Sequence, residues 1–525
     1  MMVMREVPMS RISLLCSVVF LAGTLRAATW HVDPQAGSPQ GDGSAVKPWQ
    51  TLQQVLDSNL IETREGAEYP YSAGMPLKEK NSGAPVKAGD TLLLGSGYHG
   101  DVLISRCYNE AYITIMPEPG STPQLKSLKL QAASRWRIIG LSVSPEFAPE
   151  FVRTTLITLE SHNYSGPSND IEVASCTLRT VADVSGWTMQ QWDTLSCNGI
   201  SVTGTGCSIH DNILENVNFG ISISGDSCRA DNNRIVNFSG DGMRGLGDFD
   251  TFTNNTVMNC YDVNENHDDG FQSWSVGDAG SGSGVVKGIV LSGNVIINYT
   301  DPDQPFRETL QGIGCFDGIY EDFLIENNVV ITDHWHGISL YGAVNCRIVN
   351  NTVCDINATT PGPPWIMINR HKDGRPGSGC IVRNNLTTKI SISDSLEVTQ
   401  DHNVIIDNPE NFFTDYRNFN LHLSEGCGAI AAGTVDGAPV TDKDGTDRLQ
   451  DGTVDAGAYE YSANGILQRR VLRNQAGTVS GYRLLVQTRQ RNPSGTYPCF
   501  LINGRVTAPP SPKNGLRLRA LISRN

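Results

Sequence analysis

The sequence predicts an all-β fold, a right-handed parallel β-helix, and three observations carry that reading. The first is a repeat of hexamers ending in asparagine: CSIHDN (207–212), CRADNN (228–233), DTFTNN (250–255), IVLSGN (289–294), FLIENN (323–328), CRIVNN (346–351) and CIVRNN (380–385). The final asparagines, Asn212, Asn233, Asn255, Asn294, Asn328, Asn351 and Asn385, lie 21, 22, 39, 34, 23 and 34 residues apart. A coil of about 22 residues with loop insertions explains every gap, and short strands repeating at that length make a solenoid. The second is a further strand before each hexamer, usually opened by glycine (Gly199, Gly220, Gly242, Gly270, Gly312, Gly337), with apolar residues alternating at period 2. The third is composition: 53 Gly and 26 Pro among 525 residues, with 7% aromatics, describe a turn-rich chain. Parallel strands joined by such crossovers wind right-handedly.

The elements follow in chain order. Arg5 and Arg11 precede an apolar run over residues 12–25, and Ala27 and Ala28 follow, the layout of a secretory signal peptide over residues 1–27. No later apolar run reaches the ~18 residues that span a bilayer. A secreted protein, extracellular or periplasmic, without a membrane span and monomeric, is therefore expected. Residues 28–100 read as an N-terminal cap with an inserted loop, in which Trp49, Leu52, Val55 and Leu56 have helical spacing and would plug the open end of the stack. The coils occupy residues 101–425. Residues 426–461 close the stack, with Asp442, Asp444 and Asp447 read as turn formers in preference to a calcium loop. Residues 462–525 form a separate basic tail with two alternating runs, 481–488 and 496–506, that suggest a hairpin.

Alternation sorts the coil residues by face. Ile221, Met243, Phe271, Ile313 and Ile338 form one inward column. Cys207, Cys228, Ile289, Phe323, Cys346 and Cys380 form another, where cysteine acts as a small buried hydrophobe. Stacked neighbours are close enough for a disulfide, a less favoured reading. The repeated asparagine is expected at a corner, in left-handed backbone, bonding up the stack. Ser201, Ser222, Arg244, Gln272, Gly314 and Ser339 face outward. Two residues further on, Trp274, Phe316 and Tyr341 form an exposed aromatic ladder suited to sugar rings.

Charge narrows the function. Taking the eleven Lys/Arg of the acid-free tail from the total of 40 leaves 29 basic against 55 acidic side chains in residues 1–460. Such a body disfavours nucleic acid, whose phosphates need basic surface. It would also repel an acidic polysaccharide unless a bound cation intervened, whereas the tail would favour an anionic surface. Gly240–Gly245 matches GxGxxG, but no helical pattern follows it, and no GxSxG, HExxH or Walker motif is present. His334 and His336 lack a nearby third metal ligand and are assigned to substrate contact. The residue before each leading glycine gives a column of Phe219, Asp241, Asp269, Gln311 and His336. Asp241 and Asp269 then sit about 4.8 Å apart on adjacent coils, with Asp268 alongside. Three carboxylates so close need a shared proton or a cation such as Ca²⁺, unless they are turn formers only.

Residues 29–461 resemble the secreted right-handed β-helix, pectate-lyase-like superfamily. Within them, Asn266-His267-Asp268-Asp269-Gly270-Phe271-Gln272-Ser273-Trp274 resembles the site segment of family 9 polysaccharide lyases. The resemblance implies Asp241, Asp268 and Asp269 as Ca²⁺ ligands, Arg244 or Arg307 as the base, and β-elimination of a uronate-containing glycan. Gln272 stands where that family carries a further Asp ligand, and no Lys falls where its base would be. Gln272, Trp274, Phe316, Tyr341, His334 and His336 are then the substrate contacts. Two other functions stay open: glycoside hydrolysis by two of Asp241, Asp248, Asp268 and Asp269, and glycan binding without catalysis.

Overall fold

The structure, a computed structural model, describes residues 27–462. Nearly all of the expected signal segment, and the basic tail with its hairpin, lie outside the described residues.

Three strands build each coil. Asn198–Val202, Ser208–His210 and Ile213–Val217 form one turn of the helix. Ile221–Ile223, Arg229–Asp231 and Arg234–Phe238 form the next, followed by Met243–Gly245, Thr251–Thr253 and Thr256–Cys260. All three faces pair in parallel: Ser201 beside Ser222 beside Arg244, Ile209 beside Ala230 beside Phe252, and Leu214 beside Ile235 beside Val257. The result is the right-handed parallel β-helix that the repeat predicts. The last parallel pair involves Val404–Ile405, short of the expected boundary at residue 425. Beyond it a 3-10 turn, Pro409–Asn411, and an antiparallel hairpin, Phe413–Asp415 with Asn420–Leu423, take over. Pro409 has no N–H to donate to another rung.

Both inward columns are buried as the alternation requires, from Ile221 to Ile338 and from Cys207 to Cys380. Leading glycines let neighbouring coils close on each other. A Cβ on Gly312 would lie 2.2 Å from the Gly337 carbonyl oxygen and 2.5 Å from Val330 Cγ1. No other residue fits there without moving the backbone.

The asparagines form one continuous ladder at a single corner. The backbone N–H and the side-chain Nδ2 of each donate to Oδ1 of the next, from Asn212 through Asn233, Asn255, Asn294, Asn328, Asn351 and Asn385 to Asn403, at 2.9–3.1 Å. The left-handed backbone falls one residue earlier than expected. Asp211, Asn232, Asn254, Gly293, Asn327, Asn350, Asn384 and His402 hold the positive φ angles. That residue turns the corner, and its successor aims an amide along the stack. The division of labour explains the Asn-Asn doublets.

The ends are sealed differently. The helix Leu52–Asp57, capped by Thr51, buries Leu52 and Val55 against the first coils, and Trp49 stacks on Trp30 at 5.3 Å. The inserted loop folds as an antiparallel hairpin, Thr63–Gly66 with Leu77–Lys80. In the closing segment Asp442 accepts the N–H groups of Asp444, Thr446 and Glu460. Both its oxygens serve the turn.

Candidate functional site

The strand Asp269–Trp274 lies between Met243–Gly245 and Gln311–Asp317, and these three with His336–Tyr341 and Trp365–Asn369 form one face of the solenoid. Asp241, Asp268 and Asp269 do come together there, and all three are buried. Asp241 Oδ1 accepts the Asp269 N–H at 3.0 Å, and its Oδ2 accepts from Arg244 Nε at 2.5 Å. Asp268 accepts from Asn266 Nδ2 at 2.6 Å and from the Cys260 thiol at 3.4 Å. Asp269 Oδ2 accepts from Gln272 Nε2 at 3.0 Å and contacts His267 Nδ1 at 3.4 Å. Its Oδ1 has no partner and lies where a side chain at position 314 would be, 2.2 Å from a Cβ built on Gly314.

Burial dominates the titration of this cluster. It pushes Asp268 up to about 7 and Asp269 well above the usual carboxylate range, with Asp241 adding repulsion to both. It also raises Asp241, against the opposing pull of Arg244. His267 is 65% exposed, and its hydrogen bond to the fully buried Asp269 raises it above the ordinary histidine value. Burial lowers His334 and His336 to about 4, so both are neutral imidazoles near pH 7. The acids therefore lie beneath Arg244 and His267, whose side chains are 19% and 65% exposed.

These donors do not fit a calcium ion as they stand. Calcium takes six to eight oxygens, and here five of the six carboxylate oxygens are engaged by N–H or S–H donors while the sixth is sealed off. Among the described residues no three acidic, histidine or cysteine side chains converge on a metal position. Gln272, where an acidic ligand is expected, donates to Asp269 instead. The hydrogen-bond donors that meet these acids belong to the protein.

Other expectations change with the geometry. Arg244 is clamped between Asp241 and the faces of Phe219, at 3.5 Å, and Trp274, at 5.3 Å. A guanidinium is a donor-only group, and in this clamp it anchors Asp241 instead of serving as a base. Arg307 is not brought to the cluster: it lies exposed on a loop, bonded to the Pro302 carbonyl and placed over the Tyr299 ring. Asp248 sits at another corner, accepting the Lys287 N–H.

The aromatic ladder is broken as well. A bulge between Ser273 and Trp274 sets Trp274 beside Asp317. Phe316 meets Tyr341 edge to face at 5.4 Å, and His336 likewise at 4.8 Å. These rings pack on one another. The open platform is Trp335, 44% exposed and nearly parallel to Trp365 at 6.3 Å. His334 and His336 stack beside it at 5.2 Å. His267, Phe219, Trp335 and Trp365 were not singled out by the sequence as site residues. An imidazole two residues before a buried carboxylate was the one available signal.

No family model matches this sequence, and no curated protein does. Its structure is similar in fold to several solved structures at low identity. Pectate lyase Pel9A is 13% identical, with 84% of this chain and 98% of that one covered and a TM-score of 0.41. XylC in complex with xylose is 9% identical over 82% and 98%, TM-score 0.49. The Azotobacter vinelandii mannuronan C-5 epimerase AlgE6 A-module is 12% identical over 61% and 91%, TM-score 0.39. The likeness extends to the fold alone. With three parallel ladders, an asparagine corner and a capped N-terminal end, the chain has the right-handed parallel β-helix architecture.

Proposed function

We propose that this protein cleaves a uronate-containing polysaccharide by β-elimination on the face that carries Arg244, His267, His334 and His336. One observation carries the reading. Arg244 and His267, each held against a buried carboxyl, share this face with two stacked imidazoles and an open tryptophan platform. The cations answer the repulsion expected from an acidic body. Arg244 and His267 would neutralise the uronate carboxylate and the enolate-like charge that grows on it as the C5 proton leaves. His334 Nδ1 accepts the His336 N–H at 3.1 Å, so its neutral ring carries the proton on Nε2 and would serve the substrate as a hydrogen-bond donor. Asp241 and Asp269 act as positioning residues, holding the cations in place.

The expected calcium enters no step of this scheme. A panel of polysaccharides assayed for ultraviolet absorbance of the unsaturated product, with and without EDTA, tests it. Absorbance that EDTA leaves unchanged is expected, and absorbance lost in EDTA would restore the calcium reading. Reducing sugar without absorbance would favour hydrolysis. Asp268 gives that second reading its footing, because a carboxyl near 7 can serve as general acid.

A further inference from the structure

The second inward column places cysteine on cysteine at two separate points, Cys207 against Cys228 and Cys346 against Cys380. Each pair immediately precedes a registered pair of the parallel ladder, Ser208 beside Arg229 and Arg347 beside Ile381. The backbones join at the cysteines themselves. The Arg229 N–H donates to the Cys207 carbonyl, and the Ile381 N–H to the Cys346 carbonyl, both at 2.9 Å. Parallel neighbours lie about 4.8 Å apart, inside the Cα window of roughly 4.4–6.8 Å that a disulfide spans.

The sulfurs repeat one arrangement. Cys228 Sγ donates to the Gly204 carbonyl at 3.2 Å and Cys380 Sγ to the Ala343 carbonyl at 3.4 Å, in each case three residues before the partner cysteine. Cys207 donates to the Thr205 carbonyl at 3.8 Å, and Cys346 lies within reach of the Tyr320 and Val344 carbonyls at 3.2 and 3.5 Å. The Cys207 N–H also points at Cys228 Sγ, 3.4 Å away. Other buried cysteines lack this juxtaposition: across the ladder Cys107 faces Ala133, Cys260 faces Phe238, Cys315 faces Leu340 and Cys354 faces Ile331.

We propose that Cys207–Cys228 and Cys346–Cys380 are disulfide sites, closed when the folding chain meets a low-molecular-weight disulfide such as oxidised glutathione. In each, one cysteine thiolate attacks a glutathione sulfur and expels a glutathione thiolate. The second cysteine then attacks the mixed disulfide and expels the other. Two S–H bonds are lost, one S–S bond forms, and two electrons leave on two molecules of reduced glutathione. The first bridge closes the coil that precedes Asp241 onto its neighbour, and the second closes the coil of His336 onto that of Trp365. Together they bracket the candidate site.

All four sulfurs are buried in the folded chain, so the bonds must form before or during folding. The test is to refold the full chain from guanidinium with oxidised glutathione, and separately with dithiothreitol. Alkylation under denaturing, non-reducing conditions and peptide mass spectrometry then follow. The oxidised sample should lose four alkylatable thiols relative to the reduced one and yield linked Cys207–Cys228 and Cys346–Cys380 peptides. Its melting temperature should be higher. All four cysteines alkylated in the refolded oxidised protein, or bonded to other partners, would overturn the proposal. The readout is on the wild-type chain, so it holds even where a Cys228→Ser variant does not fold.

Discussion

Replacing Asp250 by asparagine should flatten the pH dependence of stability. Asp250 occupies the inward column between Cys228 and Ile289 and is fully buried. Its Oδ1 accepts the Cys228 N–H at 2.7 Å, but Oδ2 has no partner. Burial pushes the carboxyl up to about 8 from 3.8. Between those values the folded chain keeps a proton that the unfolded chain has released, so stability falls as pH rises. The loss runs at about 1.4 kcal/mol per pH unit, or about 3 kcal/mol between about pH 5 and pH 7, and levels off above the folded value. Asp250→Asn keeps the acceptor for Cys228 and removes the titration, while its unpaired NH₂ carries a cost that does not vary with pH. Urea unfolding followed by circular dichroism, at matched ionic strength across that range, measures both chains. The difference between them should change by about 3 kcal/mol in favour of the variant. A difference that stays constant with pH would refute the reasoning.

The remaining expectations concern the site and the stack. His267→Gln and Asp269→Asn should each fold, as judged by circular dichroism, and each lower kcat/KM on the cleaved glycan by about a hundredfold or more. Trp335→Ala should raise KM several-fold in the same assay and leave kcat near wild type. Asn255→Ala deletes the acceptor of two Asn233 donors and strands a buried N–H, at a cost of about 3 kcal/mol or more in urea unfolding. Gly312→Ala forces a Cβ onto the Gly337 carbonyl and should lower the melting temperature markedly.

How far the sequence could be read depended on whether a feature lay inside a strand or between strands. Ile221, Met243, Phe271 and Ile313 announced their column, because period 2 leaves a buried strand no other register. The asparagine corner was legible for the same reason, although the doublets hid which member turns the chain. Trp274 misled because the facing strand carries an extra residue, Phe316, opposite the Ser273–Trp274 step, and no pattern marks it. Trp335 and Trp365 were missed because another irregularity, between His336 and Ile338, sets Trp365 opposite His336. The carboxylate cluster was visible as a column, but its partners were not. Whether Asp241 meets a metal or Arg244 depends on side-chain direction, which spacing does not specify.

The asparagine ladder has a consequence for how such a molecule can change length. Every rung donates in the same direction along the axis, and every rung is chemically identical to the next. A tandem duplication of one 21- or 22-residue coil would therefore join the existing hydrogen-bond chain at both ends without a mismatch. It would extend the substrate face by one strand spacing, about 4.8 Å. Recombination could thus lengthen or shorten the track on which a polymer lies in whole steps, while the loops that carry its chemistry stayed untouched.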